Sequence, residues 1–153
     1  MKLAEALALR ADMQKRISGL GDRAEESAQV QEGEQPPENP EELLAQLDDL
    51  FAQLAQLIAR INRTNLSATL ADGTTLTDAI ARRDVLAIRY RTLDSIANAA
   101  AAKQSRYSRS EIKMVATLNV SALRKQLDEI AQQRRELEGQ LQAANWIVDL
   151  RED

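Results

Sequence analysis

The segment "LRKQLDEIAQQRRELEGQLQAANWIV" (residues 123–148) carries the most regular apolar repeat in the chain. Leu123, Leu127, Ile130, Arg134, Leu137, Leu141, Ala144 and Val148 follow one another at alternating four- and three-residue steps, the heptad seam of a coiled coil sustained over about four repeats. At roughly 1.5 Å per residue it predicts a helix of some 40 Å. A helix of that length overhangs a small monomer, so the seam of Leu123, Leu127, Ile130, Arg134, Leu137 and Leu141 is the candidate surface for a second copy.

A second heptad frame precedes it. From Pro40 to Ile61, Leu43, Leu47, Leu50, Leu54, Leu57 and Ile61 keep the same spacing, while Leu44, Phe51 and Ile58 widen the apolar stripe enough to need more than one neighbour. Asn39 followed by Pro40 suits the N-cap and first turn of this helix. Upstream, Leu3, Ala6, Met13, Ile17 and Leu20 mark an amphipathic first helix that is expected to end near Gly19 and Gly21. Between the two lies an acidic, proline-bearing loop, residues 22–38. From Asp22 to Glu42 there are eight acidic residues and one basic.

Downstream of Ile61 the sequence turns polar. Asp72-Gly73 is a strong two-residue turn signal, flanked by alternating Leu66, Ala68 and Leu70 and by "TTLT", which predicts a small β-hairpin over residues 66–76. Thr75 and Asp78 then form a capping-box-like start for a third helix. That helix carries Ile80, Leu86, Leu93 and Ile96 and closes on the Ala-rich "IANAAAAK". The following "QSRYSRSEIKMVATLN" reads as a basic irregular segment, and Asn119 or Ser121 can cap the last helix. The expected fold is all-α: four long antiparallel helices in one domain, residues 1–153, with the hairpin inserted between helices two and three.

Composition narrows the chemistry. The chain has no Cys and no His, so thiolate or imidazole catalysis, ordinary zinc sites and disulfides are all excluded. No metal site and no cofactor motif is visible, and there is no Gly-rich phosphate loop. From Arg82 to Lys125 ten basic residues face three acidic ones, but the net charge of -4 and the 3% aromatic content argue against nucleic acid as a partner. No run of 18 apolar residues occurs, which argues against a membrane partner and makes a cytoplasmic protein the default expectation.

One polar cluster competes with the scaffold reading. Arg10, Asn62, Thr64, Asn65, Arg82, Arg83 and Asp84 are the residue types of an anion pocket, with guanidinium groups for the charge and amides and hydroxyls for orientation. The same residues also serve as caps, turn formers and a polar seam that fixes helix register, with Asp84, Asp12, Asn62, Asn65 and Asn145 as partners for the arginines. No nucleophile–base pair is present, so no catalytic residue is assigned. Trp146 is expected to pack against the first helix or a partner chain.

The order "KLAEALALRADMQKRI", "LIARINRTNLSATLADGTTLTDAIARRDVL" and "RELEGQLQAANWIVDL" resembles a family of small bacterial all-helical proteins of unknown function, some of whose members carry the automatic label septicolysin. The likeness spans nearly the whole chain. It implies a helical, oligomer-forming cytoplasmic protein and supplies no catalytic residues. Three functions are therefore expected, in descending order. The first is a non-enzymatic helical homo-oligomer acting as an interaction or scaffold protein. The second is an anion- or metabolite-binding protein, or an enzyme acting on such a ligand, built on an Arg/Asn/Asp cluster around residues 62–84. The third is the membrane-active toxin that the label suggests.

Overall fold

A computed structural model describes residues 1–102 and 112–152. Among the described residues four α-helices follow one another: α1 (Leu3–Glu26), α2 (Pro40–Ser67), α3 (Leu76–Ala101) and α4 (Val120–Ile147). The chain forms two compact units. The first comprises Met1–Thr75 with Gln142–Asp153, and the second Leu76–Leu141.

The first unit is built on α1 and α2, which pack against each other. Leu3, Ala6, Met13 and Leu20 from α1 are buried together with Leu43, Leu47, Leu50, Leu57 and Ile61 from α2. These are the residues that the three-four spacing selects, so the core follows from the heptad register. Asn39 caps α2 by accepting from Glu41 N–H at 3.0 Å, and Pro40 occupies the first helical position. Arg23 of α1 reaches Glu38 just ahead of α2, with Nε to Oε2 at 2.8 Å, and Glu38 N–H donates to the buried Ser27 Oγ at 3.3 Å. The acidic connection is therefore anchored at both ends.

The ends of the chain meet in this unit. Leu3 N–H donates to Val148 O and Leu150 N–H to Met1 O, each at 2.9 Å, forming an isolated antiparallel bridge between Lys2 and Asp149. Lys2 adds an ion pair to Asp149 at 2.8 Å and a bond to Ile147 O at 2.9 Å. Leu150 is buried behind the bridge.

Four expectations are corrected here. Helix α1 does not stop near Gly19 but runs through both glycines to Glu26, because packing of Leu20 outweighs the modest helical cost of glycine. The connecting loop consequently begins after Glu26, not at Asp22. Helix α2 continues past Ile61 to Ser67, so Asn62, Thr64 and Asn65 are helical residues. No inserted β-hairpin forms, and among the described residues there is no strand. Thr69 and Thr75 make one isolated bridge, closed by Leu70 N–H to Thr74 O at 2.8 Å and Gly73 N–H to Leu70 O at 3.0 Å. Gly73 has φ +84 but Asp72 does not have positive φ, so the two-residue type I′ turn is absent. A three-residue loop takes its place, with glycine in the left-handed position.

The second unit holds α3 and most of α4. Asp94 pairs with Arg124 at 3.0 Å and Arg83 with Glu138 at 3.4 Å, so rising numbers on α3 meet falling numbers on α4 and the two helices run antiparallel. Leu76, Ala79 and Ala97 are buried on α3, and Leu127, Ile130, Leu137 and Leu141 on α4. Asn119 caps α4, accepting from Ala122 N–H at 2.9 Å. Residues 112–118 are irregular, and the rest of the expected basic segment lies outside the described residues.

Candidate functional site

The residues singled out for an anion pocket are distributed over both units. In the first, Arg10 is half-buried on α1, Asn62 is exposed on α2 and Asn65 is half-buried one turn later. Thr64 is the buried member, at 1% exposure. Its hydroxyl donates to Arg60 O at 2.8 Å and accepts from Arg151 N–H at 3.0 Å, and Arg60 Nε donates to Arg151 O at 2.9 Å. Thr64 Oγ1 thus donates within α2 and accepts from the C-terminal segment, holding that segment against the end of the helix. That is a structural role.

In the second unit, Arg82 and Asp84 are exposed and Arg83 lies between them, one-third exposed. Arg83 donates from Nε and Nη2 to Asp84 Oδ1, at 3.0 and 2.9 Å, and from Nη1 to Glu138 Oε2 at 3.4 Å. Two carboxylates thus compensate the guanidinium before any ligand arrives. Past Glu138, an open groove of about 480 Å³ is lined by Tyr90, Ala131, Arg134, Arg135 and Glu138. Among the described residues no carboxylate pairs with Arg134 or Arg135. Arg134, expected at a vacant core position, is exposed.

The α4 seam also sits differently from expectation. Leu127, Ile130, Leu137 and Leu141 are buried within a single chain, and Leu123 is half-buried. Their apolar surface is already covered, so the overhanging seam that called for a second copy is not there. Trp146, expected to pack, is 65% exposed, with Ile147 beside it also exposed.

Apolar side chains stay open on α2 as well, at Leu44, Phe51 and Leu66, and on α3, where the sequence reading placed only one stripe. Val85 and Ile88 are 61% and 55% exposed, and Ile96 is exposed as well. Beyond them the irregular segment bares Ile112, Met114 and Val115. The signal was available in the sequence, since Ala81, Val85, Ile88, Thr92, Ser95 and Ala99 repeat at four-three steps. Alanine, threonine and serine hid it, being too small or too polar to register as a stripe.

Among the described residues no group of His, Cys, Asp and Glu is arranged to hold a metal ion, and no helix is long and apolar enough to cross a membrane. Residues 10–150 match a family of unknown function, DUF6847. The chain is also similar to a solved structure described as that of a functionally unknown conserved protein from Corynebacterium diphtheriae. The two are 42% identical, 99% of each chain is covered, and the TM-score is 0.92. Both are described as of unknown function, and neither bears the name septicolysin. No curated protein is similar to the chain at a significant level.

Proposed function

The chain belongs to the family of unknown function DUF6847, and we propose that it acts there as a non-enzymatic helical interaction protein that self-associates. The observation that carries this reading is the bare apolar side of the second unit. Val85, Ile88 and Ile96 on α3, with Ile112, Met114 and Val115 beyond, leave large apolar side chains in water on a two-helix element. Monomeric proteins rarely keep contiguous apolar patches open, and association is the usual way of covering them. A cysteine-free chain fits a reducing compartment, so the proposed location is the cytoplasm.

Sedimentation equilibrium tests the proposal. The expected result is a mass that is a multiple of 17.0 kDa and dissociates on dilution. A mass of one chain up to the highest soluble concentration contradicts it.

A second reading has its own observation. Arg134 and Arg135 stand side by side in the groove beside Tyr90, and the carboxylate there, Glu138, is bonded to Arg83. The excess positive charge suits a small anionic ligand. A thermal-shift screen of phosphates and carboxylates checks it: a hit abolished by Arg134→Ala supports an anion site, and a flat screen removes it.

A further inference from the structure

Helix α3 is apolar on two opposite sides. One side supplies Leu76, Ala79 and Ala97 to the interior of the second unit. On the other, Ala81, Val85, Ile88, Thr92, Ser95 and Ala99 are all exposed, and their steps of four, three, four, three and four residues make a heptad seam with no charge in it. At about 1.5 Å per residue it extends roughly 27 Å. Its far end is continuous with more apolar surface, since Ile96 and Ala99 line a groove of about 610 Å³ together with Met114, Val115 and Leu118. Apolar residues on both sides of a helix are the pattern of one covered on both sides, and within its unit α3 is covered on one.

We infer that the open seam of α3 is closed by the same seam of a second copy, with the two α3 helices running parallel. The inference rests on the self-association reading above and assigns it a surface and an orientation. The seam flanks supply the argument. Arg82 and Arg89 border one edge of the seam, and Asp84 and Arg91 the other.

In a parallel coiled coil a residue on one edge meets the residue five positions further along on the opposite edge of its partner. Asp84 therefore meets Arg89 of the second copy, twice by symmetry. An antiparallel pair would instead bring Arg89 against Arg89 and Arg91 against Arg91, which like-charge repulsion disfavours. The Asp84 carboxylate receives both of its Arg83 bonds on Oδ1 and is 59% exposed, so it is accessible to a second cation. Ala81 and Ala99 at the ends permit close approach.

The native chain has no cysteine, so single substitutions report the register directly. Full-length Ala81→Cys, Thr92→Cys and Ala99→Cys are each oxidised gently and run without reductant, beside sedimentation of the unmodified chain. Parallel pairing brings each position next to its own copy, within the Cα separation of roughly 4.4–6.8 Å that a disulfide needs, so all three variants are expected to cross-link. Asp84→Lys and Arg89→Glu are each expected to raise the dimer dissociation constant about tenfold, and the double reversal to restore it. In the antiparallel pair Thr92 faces Ile88 of the second copy, so a mixed disulfide between Thr92→Cys and Ile88→Cys chains, with none within the Ala81→Cys or Ala99→Cys variants, overturns the orientation. No cross-link in a chain that sediments as a dimer overturns the surface while leaving self-association standing. A monomeric mass overturns both.

Discussion

Thr64 and Arg151, 87 residues apart in sequence, are joined by a 3.0 Å hydrogen bond from the Arg151 backbone N–H to the Thr64 hydroxyl. The same hydroxyl donates to Arg60 O, and Arg60 returns a bond to Arg151 O. This small network closes the C-terminal segment onto α2 and accounts for a polar residue in an otherwise apolar seam. Thr64→Val keeps the shape and removes both bonds. It is expected to cost about 1–2 kcal/mol in denaturant unfolding, whereas Asn62→Ala, on the exposed side, should change stability by no more than about 0.5 kcal/mol. Equal effects of the two would contradict the role assigned to Thr64.

Gly19 and Gly21 sit inside α1 with ordinary helical φ, and a methyl group at either position meets nothing within 4 Å. Alanine there reduces the freedom of the unfolded chain without a clash. Each of Gly19→Ala and Gly21→Ala should stabilise the protein by roughly 0.5–1 kcal/mol, read as a higher midpoint in urea. A loss of stability would show that the glycines are needed for close approach.

Acid should weaken the first unit through two carboxylates. A hydrogen bond from Arg23 holds the Glu38 carboxyl below its usual range, with partial desolvation opposing it and the guanidinium's charge adding to it. The bond and charge of Lys2 do the same for Asp149. A carboxyl depressed in the folded state stabilises above its unfolded value and loses that contribution as pH falls through the folded one. The loss therefore begins below the ordinary carboxylate values of about 3.9–4.3 and continues downward. Both pairs are exposed, so the effect is small. Glu38→Gln should flatten part of the acid limb of stability against pH, and an unchanged limb would contradict the assignment.

Leu127 separates core from interface. Because it is buried within one chain, Leu127→Ala is expected to lower unfolding stability by about 2–5 kcal/mol. An effect on association alone, at unchanged unfolding stability, would return the α4 seam to the role its heptads first suggested.

Much of the architecture was legible in the sequence because local chemistry and packing agreed there. Asn39-Pro40 started α2 where capping says it should, and Leu43 to Ile61 supplied the buried face that their spacing marks. The failures came where one local signal was read against a longer pattern. Gly19 looked like a stop, yet Leu20 in the core carried the helix onward. Thr64 looked like a turn former, although it occupies the next heptad position after Leu57 and Ile61. Asp72-Gly73 looked like a two-residue hairpin, but only the glycine took positive φ. Heptads also do not say where their partner lies: α4 found its partner inside the chain, while α3, with smaller residues, was left with a bare seam.

The most direct test of self-association through α3 is the solution mass of a Val85→Lys/Ile88→Lys double variant, measured beside the native chain with helicity checked by circular dichroism. Both side chains are exposed, so the fold has no need of them. The account predicts native helicity in both proteins, a multimer for the native chain and a single chain of 17.0 kDa for the variant. A variant that keeps the native assembly, or a native chain that is already monomeric, would contradict it.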